Sequence, residues 1–226
     1  MISSVIDLDH QLNAVFPLDA SIAVDAYCAL DLSISNHELN DVSIVNPVAC
    51  QQYIDKVLQK HNAKVAYGGY LEKRNIYRDK LGFSEQEFPR DIHLGIDFWA
   101  PSDTKVIAPL KGKVHSFQNN STIGDYGPTI ILSHEIEGFK FHTLYGHLSL
   151  ASIENINVGQ EFLIGDCIGT LGTSDINVNY APHLHFQIII DMEGMKGDYP
   201  GVCSENTLKF YTKNCPNPNL LLQLPA

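Results

Sequence analysis

From residue 64 onward the chain is written in short apolar runs, broken by Gly, Pro, Asn or Asp at intervals of roughly ten residues, the texture of a β-rich sandwich or barrel. The runs predict strands over 65–67, 93–98, 105–108, 112–118, 129–134, 139–145, 161–164, 167–171 and 183–190. Asn119-Asn120 and Glu137-Gly138 supply turns, the second closing a hairpin. Earlier residues read differently. Over 47–60 the apolar residues Val48, Tyr53, Val57 and Leu58 fall near helical spacing, with Asn46 to cap and Pro47 at the first helical position. A weaker helical pattern runs over 10–32. After a loop at 192–200, Ser204 is placed to cap a short helix over 204–214, and an irregular tail lies against the body. The expected architecture is mainly β, a two-layer or barrel-sandwich sheet domain over 66–200, with a partly helical extension at 1–65 and a C-terminal helix and tail at 201–226.

In two of these strands the alternation carries chemistry. Successive side chains of a strand point to opposite faces, so His93, Gly95 and Asp97 share one face while Ile92, Leu94, Ile96 and Phe98 share the other. Likewise His183, His185 and Gln187 oppose Leu184, Phe186 and Ile188. A helix would also bring His93 and Asp97 together, but Gly95 between them, Pro101 beyond and the unbroken alternation argue for a strand. Two imidazole nitrogens and one carboxylate oxygen, with a fourth position left to water, make the ligand set of a catalytic rather than a structural zinc site, and Gly95 clears room beside it. Activating water also needs a group that moves protons near neutral pH. His147, on the face shared by Phe139, Phe141, Thr143 and Tyr145, and one histidine of the H-x-H pair are the candidates.

Composition narrows the partners. With 226 residues and 44% hydrophobic content the chain can bury one good core, and no stretch approaches the roughly 18 apolar residues of a membrane span, so a soluble protein is expected. A formal charge of −11 without a basic patch argues against nucleic acid. Asp7, Asp9 and His10 interrupt the N-terminal run where a secretory signal would be apolar, which points to the cytoplasm. Five cysteines without a C-x-x-C pair read as reduced thiols, with Cys167 expected as an inert core residue.

Six elements in order, H-x-G-x-D-x-x-A-P at 93–101, T-x-V-x-A-x-x-x-G-x-V at 104–114, Y-G-x-x-I-x-x-x-H at 126–134, Y-G-H-L-S at 145–149, the Gly-punctuated run at 158–172 and P-H-L-H-F at 182–186, resemble the lysostaphin-type zinc endopeptidases. The resemblance covers nearly half the chain. It implies that His93, Asp97 and His185 bind zinc, that His147 and His183 are the catalytic pair, and that the substrate is a peptide of peptidoglycan type or rich in Gly. Three departures accompany it. Phe88-Pro89-Arg90 occupies the approach where secreted members carry a tyrosine, leaving Arg90, Tyr126 or Tyr145 to replace it. Residues 175–180 replace a Gly-rich wall, and the flanks 68–74, 199–202 and 215–218 are similar to an intracellular branch of the family; the cytoplasmic placement makes an intracellular peptide, such as a recycled wall fragment, an equal expectation.

Other readings stand beside these. His134 is expected to be structural, His10, His37, His61, His115 and His142 to be surface or core residues, and Trp99 to be core. Glu72 and Arg74 read as an ion pair closing the N-terminal region on the domain, or as substrate contacts. The extension could cover the groove, with Asn36, His37 or Asp41 at the fourth zinc position. An alternative function is a catalytically idle, zinc-containing module that binds peptides or scaffolds a partner. The Gly-centred units at 105–114 and 158–172 also suggest a biotinyl-type carrier domain, which the lack of Met around Lys111-Gly112-Lys113 disfavours.

Overall fold

The computed structural model describes residues 15–75, 89–122, 124–177 and 180–225. Its strands are β1 (Tyr27–Ala29), β2 (Val65–Gly68), β3 (Ile92–His93), β4 (Ile96–Trp99), β5 (Lys105–Ile107), β6 (Gly112–Asn120), β7 (Gly127–Ile136), β8 (Phe139–Gly146), β9 (Glu161–Phe162), β10 (Cys167–Thr170), β11 (His183–Ile189) and β12 (Val202–Cys203). Eight of them form one sheet in the order β1-β2-β4-β11-β8-β7-β6-β9, antiparallel except for the parallel pair β1 and β2. The pairs β10–β5 and β12–β3 stand apart from it. The fold is mainly β. Helices are few: α1 (Pro47–His61), α2 (Ala151–Glu154), α3 (Leu208–Asn214) and α4 (Asn219–Leu222). None is long and apolar enough to cross a membrane.

The alternation of each central strand feeds two apolar layers. Ile96 and Phe98 of β4, Leu184 and Phe186 of β11, Tyr145 of β8, and Ile130 and Leu132 of β7 join one core on one side of the sheet. Ile131 and Leu144 point the other way, into a second cluster with Ile92, Leu94, Tyr126 and Tyr199. A third cluster lies where α1 covers β1 and β2, joining Cys50, Tyr53 and Ile54 to Leu30, Leu32, Ala66 and Trp99. The Asn46 side chain accepts from the amides of Val48 and Ala49, 2.9 and 3.1 Å away, and so satisfies two of the free N–H groups that start α1. Asp97, His183 and His185 line one cavity with Tyr126 and Tyr199 of the second cluster and Cys50 and Trp99 of the third.

Several expectations need correction. The run 93–98 is not one strand: it breaks at Leu94-Gly95, where the Leu94 amide donates to the Gly201 carbonyl, so that β3 pairs with β12 while β4 pairs with β2 and β11. Residues 15–32 hold no α-helix but a 3-10 turn (Val24–Ala26) and β1; positions 10–14 lie outside the described residues. The helix expected from 204 starts at Leu208, Ser204 instead pairing with the Thr207 hydroxyl. On α1, Val48 is exposed and Cys50 and Ile54 take the buried face. Cys167 is exposed, because Ile168 takes the inward position of β10.

Candidate metal centre and its cavity

Cross-strand register builds the centre. His185 of β11 stands directly opposite Asp97 of β4, so their side chains leave the same face. His93 arrives from β3 beyond the break. His93 Nε2 lies 2.8 Å from His185 Nδ1 and 3.2 Å from Asp97 Oδ1, and His185 Nδ1 lies 3.1 Å from the same oxygen. Among the described residues this is the one His/Cys/Asp/Glu group able to hold a metal ion. All three residues are at most 3% exposed.

The hydrogen bonds around the three decide which atoms face inward. His93 Nδ1 is 3.0 Å from the Gly69 carbonyl, which can only accept, so Nδ1 carries the hydrogen and Nε2 keeps the lone pair. His185 Nε2 is 2.9 Å from Gln187 Oε1, whose amide is oriented by donation from its nitrogen to the Pro200 carbonyl at 3.1 Å and to Cys215 Sγ at 3.2 Å. Nε2 is therefore the donor, and a neutral His185 presents its lone pair on Nδ1. Three acceptors thus converge with no hydrogen among them. Their separations of 2.8, 3.1 and 3.2 Å fall about 0.1–0.5 Å short of the ~3.3 Å between ligands of a tetrahedral ion bound at ~2.05 Å. A zinc ion fits this donor set.

Glycines make the approach possible. A Cβ on Gly95 would sit 2.7 Å from His185 Cε1 and Nε2, and one on Gly69 would overlap Arg74 and stand 2.9 Å from His93 Nδ1. Gly69 also has φ +108, a conformation L residues rarely adopt. Arg74 bridges two carboxylates here: Nη1 is 2.5 Å from Asp97 Oδ2, and Nε bonds Glu72. Glu72 Oε1 in turn accepts from the Leu32 amide at 3.0 Å, so the pair closes the N-terminal region on the domain and reaches Asp97 as well.

Beside the donors stand His183 and His147, ring centroids 4.1 Å apart. His183 Nδ1 donates to the Ala181 carbonyl at 2.7 Å, leaving Nε2 as an acceptor 4.0 Å from Asp97 Oδ1. Trp99 stacks on the His183 ring at 5.8 Å, and Tyr180 meets both histidines edge-on at 5.5 and 6.0 Å. His147 sits at φ +63, its amide donating to Tyr126 and its carbonyl accepting from Gly172. Its Nδ1 is buried without a partner among the described residues.

Burial pushes His93 down to about 3 and lowers His147 well below, and His183 below, the usual histidine value, so these three imidazoles are neutral at pH 7. Burial opposes ionisation of Asp97, and positive charge from His93 and Arg74 would outweigh it, holding the carboxyl well below the carboxylate range. With His93 neutral, Arg74 is the standing positive partner. At the rim, burial and then the charge of Asp198 raise Asp125 to about 6.

These side chains floor a cavity of about 430 Å³ walled by Trp99, Tyr126, Tyr180, Tyr199, Met195 and Arg90. Tyr126 and Arg90 reach it, whereas Tyr145 is buried in the core beside Thr143. The extension contributes Cys50 to the wall. Asn36, His37 and Asp41 do not line it; Asn36 caps a 3-10 turn (His37–Leu39) and bonds Tyr53 instead. Sequence reasoning missed the grip of Arg74 on Asp97 and the Gly69 carbonyl. The alternation of Glu72 and Arg74 around Lys73 was the available signal for the first.

The family model described as Peptidase family M23 matches residues 91–197. An uncharacterized metalloprotease of Haemophilus influenzae is 32% identical over 99 residues, 44% of this chain and 19% of that protein, so the chain spans about a fifth of the curated relative's length. Among solved structures, the catalytic domain of the antimicrobial peptidase lysostaphin from Staphylococcus simulans is 24% identical, covering 71% of this chain and 96% of that one with a TM-score of 0.41. A zinc containing peptidase from Vibrio cholerae is 25% identical, covering 43% and 27% with a TM-score of 0.33. The converging donors and both neighbouring histidines all fall inside residues 91–197, the stretch that matches the model of Peptidase family M23.

Proposed function

We propose that this domain is a zinc-dependent endopeptidase in which His93, Asp97 and His185 hold the ion and His147 and His183 move protons. The observation that carries the reading is the convergence of three lone-pair donors beside two neutral histidines on the floor of one cavity. Zinc bound there supplies Lewis acidity, polarising the scissile carbonyl and easing deprotonation of water.

The chain's own residues do the rest. With its Nδ1 hydrogen committed to Ala181, His183 offers Nε2 as the base that takes a proton from the attacking water. His147 lines the same cavity and is the second proton carrier, placed to hydrogen-bond the developing oxyanion or the leaving amine. Tyr126 and Arg90 stand on the cavity wall where a further donor would meet that oxyanion. Burial of the floor excludes competing water and strengthens each of these contacts. The substrate proposed is a peptide of peptidoglycan type or rich in Gly, or equally an intracellular peptide such as a recycled wall fragment.

The test is zinc content together with hydrolysis of pentaglycine and of cross-linked muropeptides. Wild type is expected to hold one zinc and to cleave at least one substrate, and His147→Ala to keep the zinc while losing about 10²–10⁴ in rate. Zinc-free wild type would overturn the ligand assignment. Zinc retained with no cleavage by either protein would favour the idle binding module.

A further inference from the structure

We propose that Arg74 is a positioning residue of the metal centre: it binds Asp97 Oδ2 so that Asp97 offers Oδ1 alone, and Glu72 anchors it to the N-terminal segment. The inference rests on the zinc reading above and concerns residues outside the matched family stretch.

A carboxylate has two oxygens and can approach an ion through either or both. Here the two are separated by task, Oδ1 facing His93 and His185 while Oδ2 lies 2.5 Å from Arg74 Nη1. Both partners are nearly inaccessible, at 3% and 2% exposed side chain. Taking a guanidinium and a carboxylate out of water is costly for both ions, so such a pair is poor evidence for stability and better evidence for a geometric task. Its neighbour makes the contrast. Lys73 pairs with Asp91 and Glu205 at the surface, where such contacts contribute little.

The surroundings are cut to hold the guanidinium. Glu72 accepts from Arg74 Nε and, through its other oxygen, from the Leu32 amide at 3.0 Å. The absence of a side chain at Gly69 makes room for Arg74 Nη2, and the same glycine's carbonyl orients His93. Arg74 Cζ also lies 5.5 Å from the centre of the Trp99 ring that stacks on His183. One side chain therefore fixes a ligand oxygen and backs the indole behind a proton carrier. On this reading the segment containing Leu32 supports the metal centre rather than covering it.

The test is zinc titration of the metal-free full chain against a chromophoric chelator, with Co²⁺ absorption as a second readout, for wild type, Arg74→Lys, Glu72→Gln and His185→Ala. Lysine keeps the charge but cannot bridge Asp97 and Glu72 as a planar fork. Arg74→Lys is expected to weaken zinc about 10–100-fold. It should also replace the intense visible bands of four-coordinate Co²⁺ with the weaker bands of a higher coordination number, as Oδ2 joins the ion. Glu72→Gln should show the same spectral change with a smaller loss of affinity. An unchanged spectrum in both variants overturns the proposal, including where stability alone has fallen. If His185→Ala loses zinc while Arg74→Lys binds as wild type does, only the role of Arg74 falls; if wild type binds no zinc, the underlying reading falls.

Discussion

The two faces of β4 and β11 use alternate residues of the same short runs and are held together by different means. On one face Ile96, Phe98, Leu184 and Phe186 are almost fully buried in a close-packed core, where many weak contacts share the task and no atom is singular. On the other, Asp97, His183 and His185 are each fixed by one or two directional bonds: from Arg74 of another segment, and from the Ala181 carbonyl and Gln187 two residues along the chain. Period-two alternation can place both sets on a strand. Only the fold can bring Arg74 to Asp97. The apolar face should therefore lose stability in proportion to volume removed, while the polar face should fail atom by atom.

Adjacent residues of β11 put this contrast at its sharpest. His185→Ala removes one of three converging donors, and zinc affinity is expected to fall by more than the roughly 10–100-fold that losing an outer partner costs. Added zinc should raise the Tm of wild type and no longer raise that of His185→Ala. Phe186→Ala, one position on, should cost about 3–5 kcal/mol through lost burial and the cavity left behind, yet retain its Tm rise with zinc. Thermal unfolding of both with and without zinc checks the pair. A zinc response in His185→Ala equal to that of wild type would remove the distinction between the faces.

Gly95→Ala joins the faces at one point. Its Cβ would meet the His185 ring and the Phe186 carbonyl oxygen, each at 2.7 Å, so backbone as well as side chain must shift. The expected cost is about 1–3 kcal/mol of overpacking in the metal-free protein. Chelator competition should show zinc affinity reduced by at least tenfold; undiminished affinity would mean that the ligand ring tolerates displacement.

The sequence made the alternation legible: most strand positions, α1 with its Asn46 cap, and the donors themselves lie where local periodicity puts them. It did not show the break at Leu94-Gly95, since unbroken alternation continues through a point where pairing partners change. Nor did it show β1, whose three residues are too few for a pattern and whose parallel partner is far along the chain. Cys167 was misplaced for a related reason, because a short run in a two-stranded ribbon has an inside and an outside that only packing assigns. The orienting bonds from Gly69 and Arg74 are long-range and directional, and composition or spacing carries little trace of them.

His134 supplies the smallest and most selective test, as a buried histidine away from the donor set. Its Nδ1 donates to the Lys111 carbonyl at 2.8 Å, Nε2 lies 2.7 Å from the Thr143 hydroxyl, and its ring stacks on Phe141. Burial lowers its pKa to about 4, below the 6.5 of the unfolded chain. Between those values the unfolded state binds the proton more readily, so the stability His134 contributes above pH 6.5 is lost as pH falls toward 4. That loss has a limiting slope of about 1.4 kcal/mol per pH unit. His134→Asn should be less stable at pH 7.5 through its missing hydrogen bonds, and its stability should decline less steeply across this window. Denaturant unfolding of both metal-free proteins from pH 7.5 to 4 measures the difference, in which groups common to the two cancel. Parallel curves would mean that His134 takes up its proton without unfolding, and that this histidine is held as loosely as a surface one.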